Sequence, residues 1–192
     1  MKKLPGDLAH KLLEASNKFT GTGLDISVDD VATLAGVPRA TLYYYFAGKD
    51  DLVAFYMQDK LDRVGDALAK ALTQEGTVRE RLETALTAGL QALAEHPVLC
   101  VELPVAMKKR GDYREVLAGI DRVVLAPLRE LLNEGRASGE LDVADPRTTA
   151  IALMGALNMV GMSQVVETGA IDVEGTAPSL VPQLVEGLVK RA

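Results

Sequence analysis

The stretch from Ser27 to Lys49, SVDDVATLAGVPRATLYYYFAGK, constrains this chain more than any other. It reads as two short helices joined by a tight turn. Ser27 stands three residues before Asp30, the spacing of a capping box with a shorter acid in its second position. Val28, Val31, Ala32 and Ala35 recur at helical spacing and give one narrow apolar face. Gly36 suits the left-handed position that ends a helix, and Pro38 suits the first turn of the next. That second helix is expected from about Pro38 to Phe46, with Leu42 and Phe46 turned inward against the first.

A polar face is left over. At about 100° per residue, Ala40 and Tyr44 point away from the Leu42/Phe46 side, and Thr41 and Tyr43 flank them. Arg39 lies near the inner side by angle, but a long side chain in the first turn can reach forward. Two readings fit the three consecutive tyrosines. The rings pack inward with hydroxyls at the surface, or they present flat rings and donors to base edges, thymine methyls and phosphates. The cap, the Gly turn, the Pro and the Leu/Phe pair together favour a helix-turn-helix whose second helix enters the major groove.

The pattern S-V-D-D-V-A-x-x-A-G-V-x-x-x-T-L-Y-x-Y-F-x-x-K-D-x-L closely resembles the amino-terminal signature of TetR-type transcriptional regulators. The resemblance is strong over about residues 5–60 and is one of general architecture beyond. It implies that Arg39 and Ala40 open the recognition helix and that Thr41, Tyr43, Tyr44 and Tyr45 face DNA. It also implies that Lys49 contacts phosphate, and Ser27 is counted with the DNA-binding set. Two departures stand out: Tyr45 replaces the histidine common before Phe46, and Lys49-Asp50 replaces the usual Lys-Glu pair.

Charge bears on this reading. The chain of 192 residues carries a net charge of −6, and residues 1–60 hold seven Lys/Arg against eight Asp/Glu. DNA contact must then rest on local placement, with Lys2, Lys3, Arg39 and Lys49 facing phosphate while Asp29, Asp30, Asp50 and Asp51 occupy helix N-termini. Hydrophobic residues make up 48% and no apolar run approaches the roughly 20 residues of a membrane span. No apolar segment follows the basic start, so neither a secretory signal nor a membrane partner is expected. The one cysteine, Cys100, excludes an intramolecular disulfide and fits a reducing cytoplasm.

Along the chain, residues 5–20 carry Leu8, Leu12, Ala15 and Phe19 on one helical face. A long helix runs from about Gly48 to Thr73 through Leu52, Phe55 or Tyr56, Leu61, Val64, Leu68 and Leu72, with no linker before it. Such a continuous lever passes a tilt at its far end to the reading head. Residues 77–95 form an amphipathic helix closed by His96-Pro97, and 97–109 a shorter piece. Residues 112–138 form a long helix that Pro127 should kink or end. Residues 147–168 are apolar on nearly every side and 178–191 carry a wide stripe. Pairing of these two with their copies predicts a two-fold four-helix interface.

The expectation is therefore an all-α chain of about nine helices, with a helix-turn-helix DNA-binding domain over 1–50 and a helical effector-binding and dimerisation domain over 51–192. Its partners are double-stranded operator DNA, a small-molecule effector and a second copy of itself. The resemblance implies an effector cavity among the helices from about 50 to 166. Gln91, Cys100, Glu102, Leu103, Met107, Tyr113, Ile120, Met154 and Asn158 are its candidate lining. Seven of the eight aromatic residues lie before residue 60. The cavity thus lacks rings for a flat cation, and an aliphatic or non-planar guest is expected. No catalytic motif, cofactor or metal site is legible, so no enzyme is expected. The rival reading is a small-molecule sensor or helical interaction module without DNA binding.

Overall fold

The computed structural model describes residues 4–16, 27–97, 99–100 and 113–189, and of 113–116 the backbone only. Among the described residues the regular structure is helical apart from one antiparallel bridge between Leu141 and Val189. The helices are α1 (Gly6–Ser16), α2 (Val28–Ala35), α3 (Arg39–Tyr45), α4 (Lys49–Leu72), α5 (Val78–Glu95), α6 (Tyr113–Ile120), α7 (Ala126–Ser138), α8 (Pro146–Thr168) and α9 (Val173–Glu186). A π-helical turn, Asp121–Leu125, joins α6 to α7.

Local chemistry sets the boundaries. Ser27 and Asp30 make the reciprocal capping box at the start of α2, and Gly36 ends that helix at φ 63°. Thr77 and Glu80 repeat the box at α5, a T-x-x-E signal the sequence analysis passed over. The last helix was expected at 178–191 but spans Val173–Glu186. Asp172 accepts from the Gly175 amide at 2.9 Å and starts it early, so Pro178 and Pro182 fall inside. The break expected at Pro127 takes the form of the π turn just before it. Ala126 N–H donates to the Asp121 carbonyl five residues back, while Pro127 has no amide hydrogen to continue the ladder.

Two apolar clusters form, and α4 belongs to both. The first gathers Leu8 and Leu12 of α1, Val28 and Val31 of α2, Leu42, Phe46, Leu52 and Tyr56. The second begins at the next residue, Met57, and takes Leu61, Val64 and Leu68 into a core shared with α5, α7, α8 and α9. The Tyr56 hydroxyl donates to the Leu12 carbonyl at 3.0 Å, fixing α4 to α1 inside the first cluster. Arg81 ties the second together at its far end, bonding the Leu72 carbonyl and Glu134 of α7. Phe19 lies outside the described residues.

Helix α8, at 23 residues, holds an 18-residue window of mean hydropathy 1.5 and is long and apolar enough to cross a membrane by composition alone. Only one of its faces is buried, through Ala150, Leu153, Leu157 and Gly161 against α5 and α7. Ile151, Met159 and Val166 are exposed. The helix is apolar on nearly every side, as read, and the described residues cover one side of it.

Replacing Tyr56 with Phe should lower stability by about 1 kcal/mol, the worth of one buried hydrogen bond. Equilibrium urea unfolding followed by circular dichroism measures it. An unchanged midpoint would show that the Tyr56–Leu12 bond contributes nothing.

Candidate DNA interface and effector cavity

The reading helix α3 is held from behind. Leu42 and Phe46 are 0% exposed, sealed by Val31 and Ala32 of α2 and by Leu52 of α4. On the opposite side Tyr43 is 55% and Tyr44 60% exposed, and Arg39 and Ala40 are exposed beside them. Of the two readings of the tyrosine triple, the outward one describes Tyr43 and Tyr44. Tyr45 differs: its ring packs against the first cluster and meets the Tyr44 ring edge-on at 4.9 Å. Thr41 is half-buried.

The charges at this surface are engaged. The Arg39 guanidinium lies 2.9 Å from an Asp29 carboxylate oxygen, so α2 fixes the side chain that angle alone left undecided. The Ser27 hydroxyl accepts from the Asp30 amide and donates to its carboxylate, which makes Ser27 a helix cap in the free protein. Those bonds hold the Asp30 carboxyl below its ordinary value. Lys49 begins α4 and is half-buried, and Asp51 accepts from the Ala47 amide at the same turn.

A half-open cavity of about 470 Å³ lies against the second cluster. Leu61 and Val64 of α4, Leu93 of α5 and Leu99 wall one side. Ile120, Val124 and Leu125 of the α6–π segment face them, and Ile151, Met154 and Gly155 of α8 close it. Among the described residues its polar lining is Asp121, Arg147 and Asn158, and none of the described lining residues is aromatic. The Asp121 carboxylate accepts from Arg129 at 3.1 Å.

Of the expected lining, Ile120, Met154 and Asn158 are there. Gln91 is not: it lies on an exposed groove between α4 and α5, beside Lys70, Thr84 and Thr87. Its place on α5 turns it away from the core that Leu90 and Leu93 enter. Cys100 is 0% exposed within the second core, against Gly161, and does not line the cavity. Burial pushes its thiol up to about 11. Glu102, Leu103 and Met107 lie outside the described residues, as does the Tyr113 side chain. Arg147 was not among the expected lining, although a cation in the first turn of a helix opposes the helix dipole and could have marked it. The α4 wall falls within the expected span of about 50 to 166, although neither Leu61 nor Val64 was among the candidate lining.

A buried-backed recognition helix on a lever that walls an aliphatic cavity defines a ligand-responsive DNA-binding protein. Residues 12–54 match the model of bacterial regulatory proteins of the tetR family, and residues 75–162 match the tetracyclin repressor-like C-terminal domain. The chain belongs to the TetR family and is a DNA-binding transcriptional regulator. It is 23% identical to the fatty acid metabolism regulator protein of Bacillus subtilis over 163 residues, 84% of each chain. With the regulator EthR of Mycolicibacterium smegmatis it shares 25% identity over 90% of this chain and 76% of that one. Among solved structures, the fatty acid degradation regulator FadR of Bacillus halodurans superposes with a TM-score of 0.77 at 25% identity, covering 98% and 100% of the two chains. FadR of Bacillus subtilis, solved in complex with stearoyl-CoA, superposes with a TM-score of 0.75 at 22% identity over 93% and 98%.

Single Tyr43→Ala and Tyr44→Ala variants should each weaken operator binding by about tenfold or more, the scale of one lost base contact, with the helical signal unchanged. Fluorescence anisotropy on a duplex selected from a random pool measures this, and parental affinity in both would contradict it. Cys100, with its raised thiol, should resist iodoacetamide at pH 8 in the folded protein and react in urea. Rapid labelling of the folded protein would show the thiol accessible.

Proposed function

We propose that this regulator is a repressor that seats as a homodimer on a palindromic operator in the cytoplasm, and that a single-chain acyl amphiphile with an anionic head releases it. The observation that carries the effector class is a cavity with aliphatic walls and an arginine, Arg147, at its rim. Its volume falls within the roughly 300–1,000 Å³ usual for small-molecule sites. Flat aromatic cations gain most from ring faces, and the described lining offers none. A methylene chain needs only dispersion contact and removal from water, which Leu, Val, Ile and Met supply.

Arg147 gives the head its place. Asp121 is neutralised by Arg129, but among the described residues Arg147 makes no ion pair. Its neighbour Asp145 is occupied by the Arg147 amide and the Thr148 hydroxyl. A guanidinium in that position suits a carboxylate or a phosphate. The relatives named for fatty acid metabolism, and the neighbour solved with stearoyl-CoA, support the same class. In this reading residues 1–50 contact DNA through Arg39, Ala40, Thr41, Tyr43, Tyr44 and Lys49, and 51–192 bind the effector and the second copy. The exposed apolar side of α8, with Leu180 and Leu184 of α9, is the pairing face. Two reading heads need such a two-fold partner.

Anisotropy of a labelled operator titrated with palmitoyl-CoA, palmitate, hexadecanol and a flat aromatic dication tests the effector class. Release is expected with one or both anionic chains and not with the dication. Arg147→Ala should weaken the anionic chain by about tenfold and leave hexadecanol unchanged, the scale of one partly solvated charge-assisted bond. Sub-micromolar binding of the dication, or no loss in the variant, would sink the reading.

A further inference from the structure

The π turn touches both the cavity and the lever. Asp121, Val124 and Leu125 line the cavity, while Val123 between them faces α4. A Cβ added at Gly65 would stand 2.8 Å from the Val123 carbonyl oxygen and 2.9 Å from its Cβ. Gly65 brings no side chain to the contact, so the Val123 carbonyl and Cβ lie directly on the α4 backbone, next to Val64, a cavity residue. Pro127 holds this arrangement, because in an α-helix the Val123 carbonyl would accept from residue 127, and proline has no hydrogen to give. No α-helical bond from residue 127 draws that carbonyl back along the helix axis. Nine residues down α4, about 14 Å at helical rise, Tyr56 is bonded to Leu12 within the reading head.

We infer that the Val123–Gly65 contact is where an occupant of the cavity moves the reading head, with Gly65, Val123 and Pro127 as positioning residues. This rests on the cavity being the effector site, whatever the effector is. An occupant that displaces Val124 and Leu125 moves the turn. Because Pro127 cannot supply the bond that would let the turn tighten, the movement passes through the Val123 carbonyl into the α4 backbone. A long side chain at the contact would bend and absorb it; the α4 backbone at Gly65, met by a carbonyl and a Cβ, does not.

The first test needs no effector. Gly65→Ala places a methyl where the carbonyl sits and imitates the occupied state. Operator affinity should fall about tenfold, within the range of ordinary coupling between sites. Adding Pro127→Ala supplies the missing donor, draws the carbonyl back and makes room, so the double variant should recover to within about threefold of the parent. A single variant that binds operator like the parent overturns the inference. So does a double variant no better than the single one, whether the single is folded or not. Pro127→Ala alone should bind palmitoyl-CoA with the parental Kd yet need about tenfold more of it to leave DNA. Equal release by variant and parent overturns the coupling. If palmitoyl-CoA fails to bind even the parent, the effector class is wrong, and the effector-free pair still decides the contact.

Discussion

Helix α4 is one uninterrupted helix that serves two cores, and the other parts depend on that constraint. Tyr56 belongs to the core of the reading head and Met57, the next residue, to the core around the cavity. A flexible linker between the cores would let each move without the other. A helix does not, because its backbone bonds must break before it bends sharply. The Tyr56 hydroxyl on the Leu12 carbonyl adds a directional tie at the point of passage, so α1 and the helix-turn-helix follow the lever as one body.

The reading surface and the cavity then pose opposite problems. At the surface, side chains must stay outward, and the completely buried Leu42 and Phe46 hold α3 so that Tyr43 and Tyr44 cannot turn in. Its charges are quiet in the free protein: Arg39 lies against Asp29, and Ser27 is spent on Asp30. With the first sixty residues slightly acidic, affinity has to come from fit as well as from charge. The cavity, by contrast, is built from residues with no directional demands except at its rim. Its shape is set by where helices cannot approach, and the π turn is one such place.

Much of the reading head was legible because its signals are local. A cap three residues from its acid, a glycine at positive φ, a proline in a first turn and an i, i+4 anchor each act within a few residues. Each therefore survives any choice of tertiary partner. The cavity was legible only in kind. The scarcity of aromatic residues beyond residue 60 indicated aliphatic walls, but which leucines line it depends on how six separate segments cross. Gln91 and Cys100 were misplaced for that reason. Helical period says that a residue is on a face and does not say which neighbour that face meets.

By itself, then, the sequence determined the helical class, the helix-turn-helix and the outward pair Tyr43 and Tyr44, since these follow from short-range sterics and hydrogen bonding. Only the tertiary structure decided where α4 changes from one core to the other, that Arg147 stands at an aliphatic cavity, and that Val123 rests on Gly65. Those are contacts between residues tens of positions apart. They are fixed by packing density, and no spacing within one helix carries them.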